Sequence, residues 1–565
     1  MQKLTPPYGG DLPELINDAY RAEAIRAEAR TWPSIDLDWR QLCELELLLT
    51  GALAPLTGYL SQADYERVLA EMSLANGVFW PQPIMLAIDA KQAETLQPGL
   101  SVALRDAEGF MPAILHVSEI WPADPEREEK LAETGWKVPF TSPGKAGQHY
   151  IAGRVEGISL PPRHDFLPLR LTPAEARAQF ARRGWRRVVA AMPARPLHRM
   201  HVEFFQRAAQ DQEANLFIHV AGGADPVHDA THFSHVRASL AVLPRFNAAT
   251  TLMALSPLMD QAANVRAVLL RAIIARNFGC THLIVGGEGA AGEGRERRGA
   301  DLAHAQSRIT AFARVRLGME LIPFPRLVYV EDRDEYLEES EAPEGSRIQR
   351  MSADEMAQRM MRGAKVPDWY AYPEVLAEMT RAYPSRQRQG FTVFFTGLSG
   401  AGKSTIARAL TVKLMELGDR RVTLLDGDVV RKNLSSELGF SKAHRDINIR
   451  RIGYVASEIT KHGGIAICAP IAPYRQTRRD VRTGIEQWGG FIEVFVSTDL
   501  QMCEKRDRKG LYAKARAGLI PEFTGVSDPY ETPETPELNI DTAQYSVEEA
   551  VARIVLKLER EGYLR

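Results

Sequence analysis

Residues 391–404, FTVFFTGLSGAGKS, run from an unbroken apolar stretch into a glycine-rich turn, and TIARALTVKLMEL follows at 405–417 with apolar residues at helical spacing. Strand, loop and helix in that order are the context a phosphate-binding loop requires. In Gly397-Leu398-Ser399-Gly400-Ala401-Gly402-Lys403-Ser404-Thr405 the glycines let backbone N–H groups turn inward around phosphates. The helix amino terminus adds a positive dipole, Lys403 reaches the β- and γ-phosphates, and Ser404 is placed to ligate Mg²⁺. A second apolar run, RVTLLDGD at 421–428, delivers Asp426 and Asp428 to a strand end. Carboxylates there position Mg²⁺ or accept a proton from an attacking hydroxyl; an ordinary Asp-Gly turn is the alternative.

Outward from that loop, the chain of 565 residues is too long for one core and calls for several domains. Hydrophobic residues at 45% and charged residues at 25% exclude a globally disordered or collagen-like chain. Seventy basic against seventy-two acidic side chains, a net charge of -2, argue against chain-wide attraction to nucleic acid or an anionic membrane. Cys43, Cys280, Cys468 and Cys503 form no C-x-x-C pair, so neither a disulfide framework nor a zinc ribbon is expected. With no apolar segment of about 18 residues and no apolar leader, a cytoplasmic protein is expected.

The texture of the sequence divides the chain into four parts. Residues 1–168 have frequent Pro and Gly and short apolar runs, WPQPIMLAI at 80–88 and SVALRDAEGFMPAILHV at 101–117, and read as helices followed by a strand-rich unit. Residues 169–330 alternate helix and strand: LTPAEARAQFARRG, WRRVVAAM, HRMHVEFFQRAAQD, NLFIHV, ANVRAVLLRAIIARNFG and THLIVGG. That pattern predicts a doubly wound parallel sheet with ligand sites at the carboxyl ends of its strands. Residues 331–389 are charge-rich and read as a small subdomain and linker, and 390–565 form a further α/β unit around the P-loop.

The segments DGDVVRKNLSSELGFSKAHRDINIRRIGYVA at 426–456, IAPYR at 471–475 and KGLYAKARAGLIPEFTG at 509–525 resemble the adenylylsulfate (APS) kinases almost phrase by phrase, over about residues 390–562. The resemblance implies transfer of the γ-phosphoryl of MgATP to the 3′-hydroxyl of APS, giving 3′-phosphoadenylylsulfate (PAPS) and ADP. It implies that Asp428 handles the hydroxyl proton, that Arg431, Arg445 and Asn448 hold the phosphosulfate, and that Phe440 and Phe523 sandwich the adenine. Lys509 then belongs to a lid on the APS, and Arg506 joins the P-loop in contacting ATP. Several cations are needed where a dianionic acceptor meets a nucleotide polyphosphate, and arginine offers forked geometry for oxyanions. Arg450, Arg451, Arg475 and Arg508, with Arg506, either add to that field or are solvated charges. The family's Ile-Ser-Pro reads Ile471-Ala472-Pro473 here, so no phosphoserine can form and direct transfer is expected.

CELELLLTGALAPLTGYLSQADY at 43–65, WPQPI at 80–84, RPLHRMH at 195–201 and RAIIARNFGCTHLIVGG at 271–287 resemble ATP sulfurylase, which joins ATP and sulfate into APS and pyrophosphate. Together the two halves resemble the bacterial bifunctional sulfurylase/kinase family. The fold implied is multidomain α/β: a PUA-like N-terminal domain, a nucleotidylyltransferase-like domain, a small subdomain and a P-loop kinase domain. Sulfurylases carry Q-T-R-N-P-x-H-x-x-H, and the matching positions here are Met192, Pro193, Ala194, Arg195, Pro196, Leu197, His198, Arg199, Met200 and His201. The histidines remain and the polar grip on sulfate does not, although Arg195 stands one residue from the missing arginine. Where the family reads G-R-D-H-A-G, this chain has Gly286-Gly287-Glu288-Gly289-Ala290-Ala291, and G-P-R-E-A becomes Ala263-Asn264-Val265-Arg266-Ala267. Each lost donor is worth about 2.7–4 kcal/mol of transition-state stabilisation. The expectation is therefore an APS kinase on an inactive, structural sulfurylase scaffold, with Met192, Ala194, Arg195, His198, His201, Gly287 and Gly289 marking the degenerate site. A fully bifunctional enzyme making PAPS from sulfate is the alternative, and a purely regulatory binding module is a third reading.

His228, His232 and His235 stand at i, i+4 and i+7, a spacing at which imidazoles can share a metal ion, with His219 upstream; a polar helix face is the alternative. The related proteins form dimers and hexamers, so a homo-oligomer is expected. ATP and APS are the expected ligands, with Mg²⁺ accompanying ATP, and neither nucleic acid nor membrane is expected as a partner.

Overall fold

Phe391–Thr396 is the middle strand of a five-stranded parallel sheet in the computed structural model. Ile465–Ala469 and then Val422–Asp426 lie on one side of it, Gly490–Val496 and then Leu538–Ile540 on the other. A central parallel strand is covered on both faces, which is why this one is continuously apolar. Phe391, Val393 and Phe395 share a core with Ile406, Leu410 and Leu414 of the helix Lys403–Leu417. Phe394 packs on the opposite face with Ile452 and Ala456 of the helix Lys442–Lys461 and with Cys468. Each such buried side chain contributes about 1.5–3 kcal/mol, and together they fix the strand whose end carries the glycine loop. Strand order reverses at Phe391–Thr396, so that loop lies at the switch point of the sheet, where open α/β sheets bind ligands.

A second five-stranded parallel sheet runs Glu320–Pro323, His282–Val285, Val188–Ala191, Asn215–Ala221, Thr251–Ser256. The expected alternation of strand and helix is present, with helices at Pro173–Arg182, Arg199–Asp211 and Val265–Asn277. Thr172 and Glu175 form a reciprocal capping box at the start of the first of these. Order reverses here at Val188–Ala191, and residues 192–201 leave the sheet from that switch point.

The amino-terminal part places helices Ala19–Glu28, Trp39–Leu49 and Gln62–Glu71 around a six-stranded sheet. SVALRDAEGFMPAILHV folds as the antiparallel strands Ser101–Arg105 and Ala113–Pro122. WPQPIMLAI contributes only Leu86–Ile88, because Pro81 and Pro83 cannot donate to a ladder. The charged stretch after 326 forms a three-stranded antiparallel ribbon, Leu327–Val330, Glu335–Glu338 and Ile348–Gln349. Helices Ala353–Met361 and Pro373–Ala382 follow it.

The chain forms two compact units, Met1–Ala353 with Val366–Ala382, and Asp354–Lys365 with Tyr383–Arg565. Residues 4–126, 128, 147–223, 230–258, 265–286, 310–418, 420–439, 441–507 and 510–564 are described, with Ala230, Ala353 and Asp428 described in backbone only. Among them no helix is long and apolar enough to cross a membrane.

Candidate active site

The glycine loop is built by backbone that only glycine tolerates. Gly397 has φ 145°, and a Cβ there would sit 2.5 Å from the carbonyl oxygen of Val496; Gly402, with φ 107°, turns the chain into the helix. Ser399, Gly400 and Ala401 span the turn between them, and Ser404 and Thr405 are exposed on the first helical turn. Lys403 is buried, and its Nζ donates to the carbonyls of Gly397 at 2.9 Å and Leu398 at 2.7 Å. Asp426 is buried at the end of Val422–Asp426, in register with Ala469. Asp428 stands in the first turn of the helix Gly427–Leu434, and its side chain lies outside the described residues. Arg506 reaches the loop through Thr542: its Nη1 donates to Thr542 Oγ1 at 2.6 Å, and that hydroxyl donates to the carbonyl of Ala401 at 2.9 Å.

A second wall stands beside this loop. The Gly397 N–H donates to the carbonyl of Ile471 at 3.3 Å, and the chain continues from there to Tyr474, whose hydroxyl donates to Asp528 Oδ2 at 2.8 Å. Burial raises the Tyr474 pKa, with the hydrogen bond to Asp528 adding to the effect, so the phenol stays a donor. Asp528 Oδ2 also pairs with Arg445 Nη1 at 3.0 Å, and the same nitrogen donates to Thr524 Oγ1 at 2.7 Å. Arg445 Nε and Nη2, and Asn448 Oδ1 one turn along the helix Lys442–Lys461, are buried without hydrogen-bond partners. Unmet buried polar atoms are costly, and two donors and an acceptor on adjacent turns mark a place where a ligand completes the set.

Phe523 is half-buried, edge-on to Tyr512 at 5.1 Å, and the Tyr512 hydroxyl donates to the Ser399 carbonyl at 2.8 Å. The structure therefore brings Arg445, Asn448 and Phe523 to the neighbourhood of the P-loop. Arg431 is spent on the carbonyls of Leu438 and Gly439 at 3.1 and 2.9 Å, which shapes the turn before position 440. Phe440, Arg508 and Lys509 lie outside the described residues. Arg450 pairs with Asp480, Arg451 with Glu437, and Arg475 with Glu534, which gives each of these surface arginines a carboxylate partner.

In the other unit, a cleft opens at the carboxyl ends of Val188–Ala191 and His282–Val285, lined by Met192, Ala194, Arg195, His198, His201 and Arg271 among others. Arg195 is exposed at its rim, and Met192 packs against the apolar core. His198 caps the helix Arg199–Asp211, its backbone N–H donates to His201 Nδ1 at 3.1 Å, and its ring lies 4.5 Å from that of Tyr370. Desolvation pulls His198 down to about 3, with His201 adding to the shift, and His201 down to about 4, so both rings are neutral at pH 7. Gly287 and Gly289 lie outside the described residues. Arg266 does not face this cleft as a ligand: it is buried, with Nη1 on the carbonyls of Val68 and Pro81 and Nη2 on that of Leu69.

The histidine cluster has other employment. His232 Nε2 lies 2.7 Å from Asp165, which Arg170 also holds at 2.7 Å. His219 is sandwiched by Phe217 and Phe278 at 4.9 and 4.3 Å, and His228 lies outside the described residues. Among the described residues no group of three or more His, Cys, Asp or Glu is placed to hold a metal ion.

Family models match the chain in three blocks: a PUA-like domain over residues 5–160, ATP-sulfurylase over 168–382 and adenylylsulphate kinase over 389–541. Among curated proteins, the sulfate adenylyltransferase of Emericella nidulans is 42% identical over 99% of this chain and 99% of its own length. The chain belongs to the sulfate adenylyltransferase family. The Neurospora crassa enzyme of the same name is 41% identical over the same shares. A solved structure described as the hexameric APS kinase from Thiobacillus denitrificans is 50% identical over 100% of both chains, with a TM-score of 0.84.

As a member of this family the chain carries a PUA-like amino terminus, a sulfurylase domain and an APS kinase domain. These two curated relatives are fungal and bear the transferase's name, so they lend no support to the expectations of a bacterial lineage and a degenerate sulfurylase site. Asp528 and Thr542 carry no signal in the sequence, because they reach the site from elements remote from their partners, whereas Arg271 lies in the segment 271–287 that carries the sulfurylase resemblance. Tyr474 and Thr524 were within reach, since both lie in segments that carry the kinase resemblance.

Proposed function

We propose that this chain transfers the γ-phosphoryl of MgATP to the 3′-hydroxyl of APS, giving PAPS and ADP, and that its sulfurylase half makes no APS of its own. The observation that carries the kinase reading is the set of unpartnered buried atoms on Arg445 and Asn448, in the same domain as a glycine loop whose lysine bonds its own carbonyls. In this reading Gly397, Ser399, Gly400, Ala401, Gly402, Lys403, Ser404, Thr405 and Arg506 bind ATP. Arg431, Phe440, Arg445, Asn448, Lys509 and Phe523 bind APS, and Asp428 takes the 3′-hydroxyl proton. Transfer is direct, since Ala472 has no hydroxyl to phosphorylate. Ser404 and Asp426 offer the hard oxygen donors that suit Mg²⁺, which neutralises phosphate charge when bound with ATP. The cationic wall then serves to hold the acceptor against the repulsion of the nucleotide.

For the front half, the observation behind a silent site is that Met192 and Ala194 stand in a cleft whose remaining donors are Arg195, Arg271, His198 and His201. A second reading, in which both halves work and the chain makes PAPS from sulfate, is favoured by the names of the curated relatives, and the comparisons weigh toward it. Two parallel incubations separate them: protein with MgATP, labelled sulfate and pyrophosphatase, and protein with MgATP and APS. PAPS from APS alone supports the first reading, and labelled APS or PAPS from sulfate establishes the second.

The division into 1–168, 169–330, 331–389 and 390–565 is kept as a working domain scheme: the family matches support boundaries near 168 and 389, and that at 330 rests on the sequence alone. A homo-oligomer, dimer or hexamer, is proposed on the relative described as hexameric. Buried, unbridged cysteines at all four positions support a reducing, cytoplasmic setting.

A further inference from the structure

Ile471-Ala472-Pro473 passes behind the P-loop, and its backbone bends at Ala472 into the left-handed region, with φ 48°. A residue with a Cβ adopts that conformation only where its surroundings hold it. Here Arg478 Nη1 donates to the Ala472 carbonyl at 2.7 Å, and Thr396 Oγ1 lies 3.1 Å from the same oxygen and 2.8 Å from that of Ile471. Arg478 is 4% exposed. Its Nη2 donates to the Glu531 carbonyl at 2.7 Å, its Nε pairs with buried Glu493 at 3.0 Å, and its guanidinium lies over the Tyr530 ring at 5.8 Å. Arg482 anchors Glu493 in turn, at 3.3 Å, and joins it to Glu537 at 2.8 Å.

The two backbone segments that Arg478 clasps both lead into the acceptor wall. Ala472 is two residues before Tyr474, and Glu531 is three residues after Asp528, the carboxylate shared by Tyr474 and Arg445. We propose that Arg478 is a positioning residue for phosphoryl transfer: by holding the carbonyls of Ala472 and Glu531 together it sets where Tyr474, Asp528 and hence Arg445 stand relative to the P-loop. The inference rests on the kinase reading above. Arginine suits the task because a rigid fork serves two carbonyls and a carboxylate at once, whereas lysine keeps the charge opposite Glu493 without the fork.

The test is initial-rate kinetics of the full chain, with APS and MgATP varied in turn, alongside thermal midpoints. Arg478→Lys is expected to raise KM for APS by about 10-fold or more, because acceptor placement is lost, while KM for MgATP stays within about 2-fold. Glu493→Gln, which loosens the clasp without removing it, is expected to raise KM for APS by about 3-fold and serves if the lysine variant fails to fold. An Arg478→Lys enzyme with KM for APS within about 2-fold of wild type overturns the proposal, as does an equal rise in both KM values. If Arg478→Lys does not fold, an unchanged KM for APS in Glu493→Gln overturns it. Wild-type protein that forms no PAPS from APS removes the kinase reading itself, and this proposal with it.

Discussion

Lys403 Nζ stands 2.9 Å from the carbonyl oxygen of Gly397, the first glycine of its own loop. The ammonium therefore lies inside its own glycine loop, where phosphate oxygens offer it charged acceptors in place of neutral ones. Lys403→Ala is expected to lower kcat/KM for PAPS formation by at least about 10²–10³-fold. Asp428→Ala is expected to do the same by removing the proton acceptor, and wild-type turnover in either variant, measured as PAPS from APS, contradicts the site assignment.

Arg445 and Asn448 predict a different signature. Because their unpartnered atoms belong to the acceptor wall, Arg445→Ala and Asn448→Ala are expected to raise KM for APS by about 10-fold or more while KM for MgATP holds. Titration of each substrate at saturating levels of the other is the measurement. Parallel loss of both affinities would place these residues in general packing.

How far the sequence revealed this molecule depended on how local the cause was. The P-loop was legible because three local signals coincide: an apolar run, glycines at fixed spacing and a periodic helix. The alternating elements of 169–330 were legible for the same reason. The pairing of Arg445 with Asp528 was not, since the two residues are far apart in sequence and no periodicity links them. Arg266 is the sharpest case. Nothing local in the sequence announces that it holds the carbonyls of Val68, Leu69 and Pro81, which only the fold brings to it.

Arg266 is buried against carbonyls alone, and burial lowers its pKa to about 10. Arg266→Leu removes the guanidinium donor from the carbonyls of Leu69 and Pro81, while that of Val68 keeps the Met72 N–H at 3.1 Å, and is expected to destabilise the unit Met1–Ala353 with Val366–Ala382 by about 3 kcal/mol. Urea denaturation followed by tryptophan fluorescence checks this, and an unchanged midpoint would contradict it.

His219 gives a pH prediction. Its folded pKa, lowered by desolvation to about 3, lies below the ordinary value of 6.5, so the unfolded chain binds the proton more readily. Its stability contribution is complete above pH 6.5 and is lost as pH falls toward 3; His198 and His201 act in the same direction. His219→Leu removes two unpartnered ring nitrogens from a pocket of Phe217 and Phe278. Thermal midpoints at about pH 7.5 and about pH 5 are expected to differ less in the variant than in wild type, and an equal or larger difference would contradict the assignment.

The central claim is tested most directly by incubating the full chain with γ-labelled MgATP and APS and following the label. The account predicts labelled PAPS from the wild type, formed at least about 10²-fold faster than by Lys403→Ala. Wild-type protein that leaves APS unlabelled would contradict it.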